Sequence, residues 1–128
     1  MNYLNDFFIR LNKMVKEEPR FKEDAYLFVM AALGRALRGL GEPRHITGSE
    51  LLAAIRGEAE EQFGPMAAAV FQHWGIKNSL DFGTIVFNMV REGILLKAER
   101  DCLEDFKDRV FIENLFNQDS GYQPIMES

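Results

Sequence analysis

Residues 64–93 read GPMAAAVFQHWGIKNSLDFGTIVFNMVREG, a stretch in which the start and end of two short helices are marked. Pro65 suits the first turn of a helix, and Gly75 suits the residue just past its end. Ser79 can cap a following helix, and Gly93 can end it. The stretch therefore predicts a helix over 65–74, a turn, and a second helix that begins at Ser79 and ends near Gly93.

Upstream of this stretch, apolar side chains recur at steps of three and four residues, which is typical of amphipathic helices. The pattern predicts helices over 3–16 and 23–38, and a third that ends near Gly64. Thr47 and Glu50 have the spacing of a capping box, which indicates the start of the third helix. Gly34 is expected to let another helix approach closely. The residues expected to face inward on the first, second and fifth helices are Leu4, Phe7, Phe8, Leu11, Met14, Val15, Tyr26, Val29, Met30, Leu33, Leu37, Phe82, Ile85, Val86, Met89 and Val90.

The sequence after Gly93 is less regular. Residues 94–96 are apolar but short, so a buried β-strand and a turn into the core both fit. One or two short helices are expected over 100–116. We therefore predict a mainly α-helical fold, a compact orthogonal bundle of five or six helices, with a short winged-helix-like β-hairpin after Gly93 as an option. Residues 1–117 would form one domain and residues 118–128 a flexible tail.

Composition indicates a cytoplasmic protein. The 128 residues include 15 Lys and Arg against 20 Asp and Glu, and the whole acidic excess falls after Lys97. Such a surface repels nucleic acid and anionic lipid. The N-terminus lacks the pattern of a signal peptide, and no apolar run approaches the ~20 residues of a membrane span. The one cysteine, Cys102, allows no internal disulfide.

No arrangement of reactive residues stands out along the chain. His45, His73 and Cys102 lie in three different segments, without the spacing of a metal site. Cys102 lies among acidic residues, which oppose formation of a thiolate. No phosphate-binding glycine loop is present. We therefore predict no catalytic residue, no metal and no cofactor.

Four residues are candidates for binding a ligand or a partner. Arg44 and His45 precede a helix start, where backbone amides can hold an anion; alternatively, this is a helix entry in which Ile46 packs as a hydrophobic staple. Trp74 is either an exposed anchor for a partner or a plug of the core. Asp81 lies beside the turn that follows Trp74.

The helix–turn–helix over 65–93 also permits comparison with winged-helix DNA readers. The outer face of its second helix would present Asp81, Thr84, Asn88, Arg91 and Glu92. This face has a single cation, and the segment that would form the wing is acidic. The geometry allows the architecture, but the charges argue against DNA as the ligand.

Several ordered blocks of sequence resemble a family of small bacterial proteins without an assigned activity. The resemblance spans about residues 7–116 and implies no catalytic residue. The blocks include Asp24-Ala25-Tyr26, Arg44-His45-Ile46, Gln62-Phe63-Gly64-Pro65, Trp74-Gly75-Ile76 and Asp81-Phe82-Gly83.

The residues themselves indicate a non-catalytic module. It would bind a partner protein or a second copy of the chain, or have a regulatory role. A winged-helix-like nucleic-acid binder is the alternative. A small enzyme with carboxylates and His45 in a cleft is a third.

Overall fold

The computed structural model describes residues 3–42, 44 and 46–95. Its elements are the helices α1 (Tyr3–Glu17), α2 (Glu23–Arg38) and α3 (Gly48–Phe63), a 3-10 turn (Gly64–Met66), and the helices α4 (Ala67–His73) and α5 (Ser79–Arg91). Within these ranges there is no strand. The prediction of a mainly α-helical protein is confirmed.

Several predictions concern residues outside these ranges. They are the part of the hairpin that follows Leu95, the helices over 100–116, the tail over 118–128 and the surroundings of Cys102. The side chain of Leu4, whose backbone belongs to the first helix, is not described either. His45 also lies outside the described residues. The number of helices in the whole chain therefore stays a prediction.

Helix α2 is the central element of the fold. It packs mainly against α3, and also against α5 and α1. Its residues Tyr26, Val29 and Leu33 are buried, as their spacing predicts. The core around them is closed by buried side chains from every helix and from the loops: Leu11, Met14, Phe21, Phe28, Ile46, Leu51, Ile55, Phe71, Ile76, Phe82, Ile85, Val86 and Met89.

The predicted capping box at the start of α3 is confirmed. The backbone N–H of Glu50 donates to Oγ1 of Thr47 at 3.1 Å, and the backbone N–H of Thr47 donates to Oε1 of Glu50 at 2.9 Å. Ile46, the residue before the cap, is buried, as expected of a helix entry held by an apolar side chain. The direction in which the chain enters α3 is thus fixed locally.

The predicted helix over 65–74 is divided in the structure. Pro65 lies in a 3-10 turn, and α-helical geometry begins only at Ala67 and ends at His73. Gly64, with φ of 53°, breaks the chain away from α3. The tighter turn satisfies backbone groups that the ends of two helices would otherwise leave unpaired.

The predicted cap of α5 is wrong by one residue. Asn78 has the extended backbone of an N-cap, and Ser79 is already the first, buried residue of the helix. The carboxylate of Asp81 accepts from the backbone N–H of Asn78 at 3.2 Å. Because the carboxylate of Asp81 bonds to the backbone N–H three residues before it, the N-cap is Asn78.

The predicted faces of the helices need correction at four positions. Phe8 and Leu37 were expected inside but are 39% and 42% exposed. Leu37 lies in the last turn of α2, beyond Leu33, the last buried residue of that helix. Asp81 and Asn88 were expected on an outer face of α5 but are only 2% and 3% exposed. Both are polar groups with partners on other elements, which sequence periodicity cannot reveal.

The close approach predicted at Gly34 occurs at another glycine. A Cβ at Gly34 would meet, among the described residues, only the end of Arg38 on the same helix, at 3.4 Å. At Gly57 of α3, by contrast, a Cβ would lie 3.2 Å from Nη2 of Arg35. The guanidinium of Arg35 lies against the α3 backbone there and pairs with Glu58 at 3.2 Å and with Glu61 at 3.0 Å. A flat cation thus joins α2 to α3.

Candidate functional site

Trp74, the one tryptophan of the chain, is half-buried immediately after α4. Its ring centroid lies 5.7 Å from that of Phe28 on α2, 5.6 Å from Phe63 on α3 and 5.8 Å from Phe71 on α4. These are tilted or edge-on contacts, the arrangements that aromatic rings prefer. The indole is therefore held in place by three helices while part of it remains accessible.

A shallow groove runs beside this ring, and we call it the Trp74 groove. Its volume is about 300 Å³. Most of its wall is apolar, and the described residues that line it are Asp24, Leu27, Phe28 and Ala31 of α2, Gln62 and Phe63 of α3, and Trp74. A concave apolar surface with a few polar groups at its edge is the usual form of a binding site.

The backbone of Trp74 and of the residue after it is fixed by the loop between α1 and α2. The carbonyl oxygen of Trp74 accepts from the backbone N–H of Lys22 at 3.1 Å. Gly75 follows with φ of 93°, and a Cβ at this position would lie far inside van der Waals contact with the carbonyl oxygen of Arg20. The turn after α4 and the loop before α2 therefore touch backbone to backbone.

Asp81 anchors the same two segments. Its carboxylate accepts from the guanidinium of Arg20 and from the backbone N–H groups of Lys77, at 2.7 Å, and Asn78, at 3.2 Å. The guanidinium also lies over the ring of Phe21, with Cζ 4.7 Å from the ring centre. The three hydrogen bonds that the carboxylate of Asp81 accepts all come from donors of the protein itself. Its predicted role in partner binding stays a prediction, while its structural role is to fix the turn that carries Trp74.

Arg44 lies at the start of α3, far from Trp74. Its guanidinium donates to both carboxylate oxygens of Glu50, at 2.9 and 2.6 Å, in a bidentate ion pair. The length of α3 separates Arg44 from the Phe63 end of the groove, by about 24 Å at 1.5 Å per residue. The structure thus brings Trp74 and Asp81 to one junction and leaves Arg44 at the opposite end of α3.

The pair of Arg44 and Glu50 predicts a measurable acid dependence. The guanidinium of Arg44, followed by the backbone N–H of Thr47, lowers the pKa of Glu50 to about 2. An unfolded glutamate has a pKa of about 4.3, so the stabilisation is fully present above about pH 4.3 and is lost as the pH falls through about 2. Carboxyl carbon shifts measured by NMR should show Glu50 titrating near pH 2, and Arg44→Ala should move the midpoint upward. A midpoint near 4 in the native protein would contradict the ion pair.

A buried polar pair joins α2 to α5. Nδ2 of Asn88 donates to the hydroxyl oxygen of Tyr26 at 3.1 Å. Burial raises the pKa of Tyr26 above its ordinary value, so the hydroxyl stays neutral at physiological pH. Since neither side chain reaches the surface, the pair specifies how two helices pack and does not form a reactive site.

The described part of the chain holds no group of three His, Cys, Asp or Glu side chains placed to bind a metal ion. None of its helices has the length and apolar character needed to cross a membrane. Comparison with protein families, with curated proteins and with solved structures finds no match to this chain.

The sequence pointed to Trp74 but not to the rest of the groove. Phe28 and Phe63 are core-type residues on helices distant in the chain, and nothing in their spacing shows that both touch the indole. Asp24 reads from sequence as an acid that suits the first turn of a helix. Only the packing of α2 against α3 puts these residues around one groove.

Proposed function

We propose that this protein is a non-catalytic protein-binding module of the cytoplasm, and that the Trp74 groove is its binding surface. The observation that carries the proposal is a half-buried tryptophan, fixed by three phenylalanine rings, at the edge of an apolar groove. Rigid aromatic residues in such positions supply most of the binding energy in many protein interfaces. The cytoplasmic location is argued from the single cysteine, and cell fractionation tests it.

The support for binding is that the site is formed before any partner arrives. Trp74 is fixed through its ring contacts, through the hydrogen bond of its carbonyl oxygen to Lys22, and through the turn held by Asp81. A rigid surface loses little conformational entropy when a partner binds. The volume of about 300 Å³ is at the lower end for small-molecule pockets, and it suits one or two side chains of a partner.

The charges on α5 favour a protein partner over nucleic acid. Its one cation is Arg91, which pairs with Glu92 at 3.5 Å. Two residues of the supposed reading face, Asp81 and Asn88, are buried and engaged within the protein. Phosphate contacts need several exposed cations, which this helix does not supply.

The same proposal extends to the architecture of the whole chain and to the family to which it belongs. We propose that the whole chain is an orthogonal bundle of five or six helices with a short hairpin after Gly93, which NMR secondary shifts would test. The sequence blocks around Trp74 and Asp81 support membership of the family of small bacterial proteins described above. If an alignment of that family lacks these sequence blocks, the proposed membership is wrong.

Self-association is a further part of the proposal. Ile9 on α1 and Met66 before α4 are large apolar side chains that are 59% and 61% exposed. Exposed apolar residues of this size can pair between copies of a chain. Light scattering that shows only monomer at high concentration would exclude it.

Filling the groove tests the binding surface directly. Ala31 is exposed on α2 and lines the groove, so Ala31→Glu should obstruct it without disturbing the core. We expect the variant to retain roughly a tenth or less of the partner captured by the tagged native protein from its own cells. Ala69→Glu, at an exposed position of α4 that does not line the groove, is the matched control. Equal capture by both variants would show that partners bind elsewhere.

A further inference from the structure

The Trp74 groove has a charge asymmetry that narrows the kind of partner it fits. Among the described residues that line it, Asp24 is the one charged side chain. Gln62, the other polar liner, already donates to Oε2 of Glu58 at 2.5 Å. No ion pair joins Asp24 to any part of the chain that the structure describes. The groove therefore offers an apolar wall and one carboxylate that forms no ion pair with the described residues.

Two more acidic residues are neighbours in sequence of residues that line the groove. Glu23 precedes it in the first turn of α2, and Glu61, beside the lining residue Gln62, is 68% exposed in its side chain. Lys22 lies at the Trp74 end of the groove and adds one positive charge, but it is not among the lining residues. Glu61 pairs with Arg35, whereas Asp24 is exposed and lines the groove.

From this asymmetry we propose that the groove takes a basic amphipathic segment of a partner protein: a bulky apolar side chain enters against Trp74 and Phe63, and a neighbouring lysine or arginine pairs with Asp24. The inference rests on the proposed function, since it needs the groove to be a docking surface. Burial of the apolar side chain supplies affinity. The ion pair at the rim supplies selectivity and a faster association that depends on salt.

Selection from a library of random displayed peptides tests the inference. The native protein is the bait, and peptides that also bind Ala31→Gln, which fills the groove without adding a negative charge, are removed. We expect the retained peptides to be enriched in Leu, Phe or Trp next to Lys or Arg. Retained peptides without such cations overturn the inference and leave the groove as a docking surface. Failure to retain any peptide overturns both.

Trp74 then measures the role of Asp24, because it is the only tryptophan and lies in the groove. A retained peptide without tryptophan should shift the Trp74 emission to shorter wavelength in a saturable way. Asp24→Asn should weaken its affinity about fivefold and flatten the salt dependence. Glu17→Gln removes a negative charge from exposed α1 and is the matched control, which should bind as the native protein does. Equal affinities for Asp24→Asn and Glu17→Gln would contradict the pairing.

Discussion

Replacing Gly75 with alanine is expected to lower the free energy of unfolding by about 3 kcal/mol. The backbone of Gly75 is left-handed, with φ of 93°, where a Cβ is strained. The new Cβ would also collide with the carbonyl oxygen of Arg20. Because both colliding groups are tied to backbone, the strain can be relieved only by moving the loop before α2 away from Trp74. Thermal unfolding followed by circular dichroism should show a loss of roughly 10 °C.

Two other glycines separate the causes of this effect. Gly64 has φ of 53°, but an added Cβ would meet no described residue within 4 Å, so Gly64→Ala should cost about 1 kcal/mol through backbone strain alone. Gly41 has no positive φ, and an added Cβ would meet none of the described residues within 4 Å, so Gly41→Ala should change stability little. If Gly75→Ala proves no more damaging than Gly64→Ala, the backbone contact between the two segments is not a determinant of the fold.

The effect of Gly75→Ala should also be measurable at the Trp74 groove. The hydrogen bond from Lys22 to the carbonyl oxygen of Trp74 spans the contact that the alanine would push apart. We therefore expect the Trp74 emission of folded Gly75→Ala to move to longer wavelength and its quenching by iodide to increase. Gly75 therefore affects both the free energy of unfolding and the position of Trp74 beside the groove.

Local signals in the sequence predicted the helices well where the cause is itself local. The capping box of Thr47 and Glu50 joins residues three apart, and its geometry is as expected. The bounds of α2, Glu23–Arg38, follow from apolar spacing and from cations and glycine at its end. At the start of α5, Asn78 and Ser79 are both residues that cap helices well, and the choice falls on Asn78 because Asp81 lies three residues after it and accepts from its backbone N–H.

What the sequence could not show are the contacts between distant segments. Arg20 and Asp81 are 61 positions apart, and Tyr26 and Asn88 are 62 apart. A buried polar residue interrupts the apolar period of its helix and so resembles a surface residue until its partner is known. The groove could not be predicted for the same reason. The sequence indicates Trp74 as a candidate, but Asp24 and Phe63 lie beside it only because three helices pack together.

Removing the carboxylate of Asp81 is the second substitution with a large expected effect. Asp81→Ala should lower the free energy of unfolding by about 3 kcal/mol, because it leaves the half-exposed guanidinium of Arg20 and two backbone N–H groups without their acceptor. Asp81→Asn keeps one oxygen for a backbone N–H and should cost about half as much. Urea denaturation followed by the fluorescence of Trp74 measures both.

The two functions of this carboxylate, capping α5 and pairing with Arg20, can be separated by a double-mutant cycle. The side chain of Arg20 is 46% exposed, so its charge stays solvated when the acid is lost, and Arg20→Ala alone should cost only about 1 kcal/mol. The backbone N–H groups of Lys77 and Asn78 both donate to the carboxylate of Asp81, so Asp81→Ala removes the acceptor of both. We therefore expect Asp81→Ala to cost nearly as much in the Arg20→Ala background as in the native protein. Were the cost to vanish in that background, the ion pair and not the cap would hold the turn, and the position of Trp74 would then depend on salt concentration.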